Sequence, residues 1–149
     1  MSDADSAART PPHDLDAEVG VLGSMLLSME AVHLARERLS PDSFYSLAHR
    51  DIFEAILAVA DAHNTVDFIL LRDELARRDK LDKVGGTAYL VELTEAVPTS
   101  ANVEHYIEIV RRHALRRQLI RTAEKIGQEV YQAVENSDRI DEIVDLQVA

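Results

Sequence analysis

The sequence predicts an all-α protein, namely a compact multi-helix globule followed by a protruding helical hairpin. Apolar residues recur at alternating steps of three and four along most of the 149-residue chain. Strand-like alternation is nowhere sustained, and five glycines and four prolines are too few for a many-turned β protein. A proline-free helical pattern from residue 101 to about 134 is longer than a compact globule of this size is wide, so we expect it to protrude.

Composition and charge narrow the class of protein. The chain has 27 acidic and 16 basic side chains, a formal net charge of -11, and a hydrophobic content of 46% that excludes a disordered tail. No apolar run approaches the roughly 20 residues of a membrane span, and the acidic first residues do not resemble a secretion signal. The absence of cysteine excludes disulfides, cysteine zinc sites and thiol catalysis. We therefore expect a cytoplasmic protein with no membrane partner.

Residues 1–13 show no periodicity and are predicted to be a flexible lead-in, followed by a helical globular domain at residues 14–114. Asp14 is the predicted N-cap of the first helix, because its carboxylate can accept hydrogen bonds from the first backbone N–H groups. Proline breaks the chain at Ser40-Pro41-Asp42. One face of the first helix carries the apolar residues Leu15, Val19, Leu22, Leu26 and Met29.

Three further helices complete the predicted globule. One follows Ser46 and turns Ile52, Phe53, Ile56, Leu57 and Ala60 inward. Asp67 caps the next, which carries Leu71 and Leu75, and a short one with Tyr89, Leu90 and Leu93 runs from the turn at Gly85-Gly86 to near Pro98. The predicted core of the globule comprises Leu15, Val19, Leu22, Ile52, Phe53, Ile56 and Leu93.

The long helix changes its apolar face near Ala114-Leu115. The first apolar stripe consists of Val103, Ile107, Val110 and Ala114, and its continuation would reach Arg117 and Arg121. A second stripe begins at Leu115 instead, so this part of the helix faces something other than the globule. We call the predicted self-association surface the 115–144 stripe; it comprises Leu115, Leu119, Ala123, Ile126, Val130, Ala133, Ile140, Ile143 and Val144.

Residues 115–149 are predicted to form the hairpin, with Asn136-Ser137 as its turn and Ser137 as the cap of the second arm. Gly127 lies within the first arm, where a bend or local break is compatible with its low helix propensity. The apolar pattern continues to the last residues, so we expect the sequence to be a fragment of a longer protein. The exposed stripe has few local partners, and a second copy of the chain is its simplest cover.

No pattern in the sequence indicates catalysis or a cofactor. The six histidines show no metal-ligand spacing and are interpreted as surface or helix-face residues. His49-Arg50-Asp51 imitates a kinase tripeptide without the glycine-rich loop that would accompany it, and Gly85-Gly86-Thr87 lacks the lysine of a phosphate loop. The many carboxylates are expected on solvent-exposed helix faces, which accounts for them without a role in acid–base catalysis. We expect neither a catalytic residue, nor a cofactor-binding residue, nor a metal ligand in this chain.

Six basic residues occur between positions 111 and 125, and Arg117, Arg121 and Lys125 share one helix face at i, i+4 spacing. Such a stripe can contact phosphates, which would make this a nucleic-acid face. It can also be the polar face of the hairpin, partly paired with acidic residues around Asp138 to Asp145. No aromatic residue interleaves with the basic ones, and residues 1–100 carry 9 basic against 18 acidic groups, so we favour the second interpretation.

Several short motifs follow one another in a fixed order: Pro11-Pro12-His13-Asp14-Leu15-Asp16-Ala17-Glu18, Val21-Leu22-Gly23, Asp42-Ser43-Phe44-Tyr45, His49-Arg50-Asp51-Ile52-Phe53, Asp67 ahead of Leu71 and Leu75, Leu81-Asp82-Lys83-Val84-Gly85-Gly86-Thr87-Ala88-Tyr89-Leu90, Pro98-Thr99-Ser100-Ala101-Asn102 and Tyr106-Ile107-Glu108-Ile109-Val110. Together they resemble the N-terminal part of bacterial replicative DNA helicases of the DnaB family, over roughly residues 10 to 146. Family members usually have glutamine after the Ala-Glu pair, where this chain has Val19-Gly20.

The resemblance implies an N-terminal domain whose hairpins pair between subunits, forming a collar built as a trimer of dimers above the hexameric motor ring. It also implies that the domain helps to dock primase and, in some members, a helicase loader. The ATPase domain of the family is missing from this chain. ATP and magnesium, DNA unwinding at the replication fork and most contact with single-stranded DNA are therefore expected only of the parent protein.

Two other functions remain open on the sequence alone. The arginine stripe would suit a free-standing helical DNA-binding regulator, which predicts strongly salt-dependent binding to duplex DNA. The acidic first hundred residues argue against it. A stand-alone enzyme of unknown type is the third reading, and no residue pattern supports it.

Overall fold

The computed structural model describes residues 9–135 and 140–148, and over these residues it contains seven α-helices, one 3-10 turn and no strand. The all-α prediction is confirmed. The helices are α1 Leu15–Leu27, α2 Met29–Arg38, α3 Leu47–His63, α4 Phe68–Arg77, α5 Gly86–Glu95, α6 Val103–Glu135 and α7 Ile140–Val148, with the 3-10 turn at Pro41–Ser43. Two compact units can be distinguished, and the boundary between them falls between Ala114 and Leu115.

The predicted N-caps Asp14 and Asp67 are confirmed in the first unit, and Ser46, after which the sequence predicted a helix, also acts as an N-cap. The side chains of Asp14, Ser46 and Asp67 accept hydrogen bonds from the backbone N–H groups of the third residue beyond each, at 2.9, 3.2 and 2.8 Å. Each bond satisfies one of the donors that a helix N-terminus leaves without an intrahelical partner. Gly85 starts α5 with φ 112°, a conformation that disfavours any side chain, and the predicted turn at Gly85-Gly86 is thereby confirmed.

In the core of the first unit, α1 packs against α2, α3 and α5, and α4 packs against α3 and α5. Of the predicted core, Leu22, Ile52, Phe53, Ile56 and Leu93 are fully buried and Val19 is partly buried. Leu15 was predicted in the core wrongly, since 44% of its surface is exposed. As the first residue of α1 it lies beside the core rather than within it. In this part of α1, Ala17 and Val21 are the residues that belong to the buried core.

The first predicted helix is in fact two helices. The apolar spacing from Leu15 to Met29 suggested a continuous segment, but Ser28 is extended (φ -155°, ψ 130°) and its hydroxyl caps α2 by accepting from the N–H of Ala31. In a sequence, serine is a weaker signal for the end of a helix than proline or glycine. Its side chain competes with the helix only where it hydrogen-bonds to a nearby backbone group.

A second face of α1 is buried through small residues, which apolar periodicity does not detect. A Cβ atom added to Gly20 would lie 2.7 Å from the ring of Tyr106, and one added to Gly23 would lie 2.8 Å from the carbonyl oxygen of Leu93. Neither distance is tolerable for real Cβ atoms. These glycines therefore allow neighbouring parts of the first unit to approach the α1 backbone directly.

The second unit contains the C-terminal part of α6 together with α7. Helix α6 is continuous through Gly127, so the helix is not broken at that position. Ala133 in α6 and Ile143 in α7 are both buried. The predicted turn at Asn136-Ser137 lies outside the described residues. Within the described chain, no helix combines the length and apolar content that crossing a membrane requires.

Candidate interaction surfaces

The 115–144 stripe is mostly solvent-exposed in the single chain. Leu119 is 69% exposed, Leu115, Val130 and Val144 are 39–48% exposed, and Ala123 is also on the surface. Ile126 is half-buried, whereas Ala133 and Ile143 are buried within the chain. The side chain of Ile140 lies outside the described residues. The exposed members of the stripe are apolar side chains of α6 and α7.

Sequence reasoning missed four further apolar side chains in the second unit. Tyr131 and Val134 are 81% and 79% exposed, Leu146 is 72% exposed, and Ile120 is 44% exposed. These residues lie beside the stripe rather than on it, so a search for one helix face overlooked them. Exposed apolar surface that is concentrated in one region marks an interaction site more often than scattered single residues do.

The three residues of the predicted basic face differ in exposure and in pairing. Arg117 is 5% exposed, whereas Arg121 is exposed and Lys125 lies 4.0 Å from Glu129 on the same helix. Burial of the Arg117 guanidinium removes it from any interface with a large ligand.

The two arginines at the start of the basic run pair with one carboxylate of their own helix. Arg111 donates two hydrogen bonds to the Glu108 carboxylate, at 2.9 and 3.0 Å, and Arg112 donates one at 3.0 Å. The hydrogen bonds from Arg111 and then Arg112 lower the pKa of Glu108 from 4.5 to about 2. Glu108 precedes the basic run, so counting charges from Arg111 onward had not included it.

A buried polar cluster connects three helices of the first unit. Glu18 in α1 is 1% exposed and His49 in α3 is 3% exposed. Nδ1 of His49 lies 2.7 Å from Oε1 of Glu18, and Nε2 of His49 lies 2.5 Å from the hydroxyl of Tyr89 in α5. The backbone N–H groups of Tyr45 and Ser46 donate to Glu18 at 2.8 and 3.3 Å. We call Glu18, His49 and Tyr89 the polar triad.

The polar triad is satisfied internally and is therefore structural. A carboxylate accepts hydrogen bonds, so the imidazole of His49 donates from Nδ1 to Glu18, and in the neutral ring Nε2 accepts a hydrogen bond from the Tyr89 hydroxyl. Burial raises the pKa of Tyr89, and the nearby Glu92 and Glu18 add to the shift, which keeps the hydroxyl protonated as a donor. No described side-chain donor or acceptor that is buried lacks a partner.

The triad corrects the interpretation of the histidines as surface or helix-face residues, because His49 is buried and hydrogen-bonded on both ring nitrogens. The other five are exposed or half-buried. A signal for His49 was present in the sequence, since it shares the apolar helix face of Ile52, Phe53 and Ile56. His13 also has a defined place, as its ring stacks on Tyr45 with centroids 4.0 Å apart.

The first unit also carries an open groove of about 490 Å³ beside α1, α5 and α6. Asp14, Asp16 and Val19 line it from the start of α1, and Val97, Tyr106 and Ile109 complete most of its wall. A second groove of about 360 Å³ lies between α3 and α4. Over the described residues, no three histidine, cysteine or acidic side chains are grouped so as to hold a metal ion.

Comparison with known proteins identifies relatives for almost the whole chain. The family of DnaB-like helicase N-terminal domains matches residues 10–112. The chain is 42% identical to the replicative DNA helicase DnaC of Bacillus subtilis over 138 residues, and 44% identical to the replicative DNA helicase DnaB of Geobacillus stearothermophilus over 137 residues. These alignments cover 93% and 92% of this chain but only 29% and 30% of the relatives. The chain thus spans less than a third of their length.

Solved structures agree with this assignment. The N-terminal domain of DnaB helicase from Mycobacterium tuberculosis superposes with a TM-score of 0.85 at 40% identity, covering 93% of this chain and 95% of that one. The N-terminal domain of DnaB helicase from Helicobacter pylori superposes with a TM-score of 0.65 at 20% identity, covering 88% and 99%. The second likeness concerns the fold alone.

Proposed function

The chain belongs to the family of DnaB-like helicase N-terminal domains, and from that premise we propose that it is the oligomerisation and primase-docking domain of a hexameric replicative helicase. The observation that carries the oligomerisation proposal is the exposed 115–144 stripe, in which Leu119 is 69% accessible to solvent. Covering such side chains with those of a second copy releases water from apolar surface and favours association. Pairing of two hairpins would bury both copies of the stripe at once.

A symmetric pair is the arrangement that the stripe suits best. In a two-fold dimer the same patch on both subunits forms the contact, so one apolar stripe can serve as both halves of the interface. The additional exposed residues Tyr131 and Val134 increase the apolar area available. We extend the proposal to a collar of three such pairs, as the family resemblance implies.

Primase is the proposed protein partner. The N-terminal domain from Helicobacter pylori interacts with primase, and its fold is that of this chain. A helicase loader is a further proposed partner, for which the family resemblance is the only support. Neither proposal assigns the contact to particular residues.

DNA unwinding is proposed for the parent protein rather than for this domain. The relatives are replicative DNA helicases more than three times as long as the chain, which leaves room for a motor domain that binds ATP and magnesium. We assign contact with single-stranded DNA mainly to that part, and a cytoplasmic location to the whole. For this chain we propose no catalytic activity.

The alternative of a free-standing DNA-binding regulator has no observation in its favour. Arg111 and Arg112 are paired with Glu108, and Arg117 is buried, so the predicted phosphate-binding stripe is reduced to separate charges.

The self-association proposal is tested by placing a charge on the stripe. We expect Leu119→Asp to weaken dimerisation at least about tenfold, because each copy loses an apolar contact and gains a charge that must lose water. Ile126→Asp should act in the same direction. Sedimentation velocity over a range of protein concentrations measures the effect.

Leu47→Asp is the matched control, since Leu47 is 70% exposed, lies at the start of α3 in the first unit and undergoes the same change. It should leave the oligomer unchanged. If Leu119→Asp and the wild type sediment identically while both melt cooperatively, the stripe is not the contact between copies.

A further inference from the structure

The groove beside α1, α5 and α6 combines an apolar wall with an acidic rim. Val19, Val97 and Ile109 contribute aliphatic surface and Tyr106 contributes a half-buried aromatic ring. Asp14 and Asp16 stand at the edge, and Asp16 is exposed. Among the described residues that line the groove, none is lysine or arginine.

The electrostatic character of the groove extends beyond these two carboxylates. Helix α5 ends at Glu95, and the lining continues directly into Ala96 and Val97. The last carbonyl groups of a helix carry partial negative charge and lack intrahelical donors, so they attract cations. Residues 1–100 contain 18 acidic and 9 basic side chains, which adds a net negative background.

The floor of the groove is set by a close backbone approach. The absence of a Cβ at Gly20 lets the Tyr106 ring approach the α1 backbone closely, where any larger residue would push it outward. An aromatic side chain in the lining offers apolar contact to a docked helix.

We propose that this groove docks a basic amphipathic helix of a partner protein. Its apolar side chains would pack on Tyr106, Val97 and Ile109, and its lysines or arginines would meet Asp14, Asp16 and the C-terminal end of α5. A helix that presents apolar anchors at helical spacing is a common occupant of such grooves. Charge complementarity selects a cationic helix over an acidic or neutral one. None of the residues that line the groove belongs to the 115–144 stripe.

Three fluorescein-labelled peptides of about 16 residues test the proposal on the full 149-residue chain. The first is an amphipathic helix with leucines on one face and arginines and lysines on the other. The second has glutamates in place of the basic residues, and the third keeps the basic residues but has serines in place of the leucines. Fluorescence anisotropy should show binding of the first peptide only. Amide NMR shifts should change around Gly20, Val97 and Ile109.

Asp16→Lys reverses one rim charge and should weaken binding of the first peptide about five- to tenfold, because an attraction becomes a repulsion. Glu30→Lys is the matched control. Glu30 is also an exposed acidic residue in the first turn of a helix, α2, and does not line the groove. The Glu30→Lys variant should bind the peptide as the wild type does. Thermal unfolding of both variants checks that they fold.

Three results would overturn the proposal. The peptides could bind equally, which would show that the groove does not select a basic amphipathic helix. Asp16→Lys and Glu30→Lys could weaken binding equally, which would indicate attraction to the overall negative charge. Asp16→Lys could leave peptide binding unchanged but weaken dimerisation, seen as a lower sedimentation coefficient. In that case the groove is covered by a second copy of the chain.

Discussion

Glu18 illustrates how one side chain can position several segments of the first unit. Its carboxyl group accepts from two backbone N–H groups in the turn before α3 and from His49 within α3, while its own backbone belongs to α1. Tyr89 then links His49 to α5. Because Glu18 and His49 are almost fully buried, these two side chains depend on the protein for their hydrogen bonds.

Glu18→Ala should therefore lower the free energy of unfolding by at least about 2 kcal/mol, since two buried N–H groups lose their acceptor. Glu18→Gln should lose less, because the amide oxygen still accepts. Urea unfolding followed by circular dichroism measures both. Glu54→Ala, an exposed glutamate of α3, is the control and should stay within about 0.5 kcal/mol of the wild type. Equal stability of Glu18→Ala and Glu54→Ala would refute the structural role of the triad.

The residues of the polar triad could not be grouped from the sequence, although each belongs to a motif that resembles the helicase family. Glu18 and His49 are 31 positions apart and His49 and Tyr89 are 40 apart, so only tertiary packing brings them together. Apolar periodicity predicts which face of a helix is inward, and it placed Ile52 and Phe53 correctly. It does not predict which polar groups meet inside the core.

At the scale of the helices, the sequence predicted those features that depend on residues close to one another along the chain. The caps Asp14 and Asp67 were predicted because a cap bonds to residues only three positions away. Leu15 was assigned to the core wrongly because the opposite side of α1 is buried through Gly20 and Gly23. Small residues contribute little to a hydrophobic pattern. A buried helix face that consists of small residues can therefore be recognised only when the positions of the neighbouring helices are known.

Replacing glycine by alanine should lower the stability of the protein at Gly85 and raise it at Gly127. Gly85→Ala should destabilise the protein by about 1–3 kcal/mol, because Gly85 has φ 112° and its new Cβ would lie 2.8 Å from Cβ of Tyr89. Gly127→Ala should stabilise it by about 0.5–1 kcal/mol, because the position is helical and a Cβ there meets no atom within 4 Å.

Thermal unfolding of both variants, compared with the wild type at one protein concentration, measures the difference. A fixed concentration matters because association with a second copy would itself raise the unfolding temperature. Destabilisation by Gly127→Ala would indicate that a distortion of α6 at this position is needed, contrary to the continuous helix of the structure.

At the scale of the whole molecule, the chain separates a part that supplies stability from a part that displays apolar surface. The described members of the buried core cluster run from Ala17 to Val110, and the first stripe of α6 contributes Val103, Ile107 and Val110 to it. The most exposed large apolar side chains of the second unit, Tyr131 and Val134, have no counterpart in that cluster. The change of apolar face near Ala114 in the sequence coincides with the boundary between the two units.

A chain shortened to residues 1–114 should consequently fold but fail to associate. It keeps every described residue of the core cluster, including the part of α6 that carries Val110, so its unfolding should stay cooperative. It lacks the 115–144 stripe, so its sedimentation should be that of a monomer at all concentrations, whereas the 149-residue chain should show mass-action association. Circular dichroism melting and sedimentation velocity on the same samples provide the two measurements. If the shortened chain were unfolded, residues beyond 114 would have to be part of the core. If it still dimerised, the contact between copies would lie on the first unit, and the stripe would need another partner.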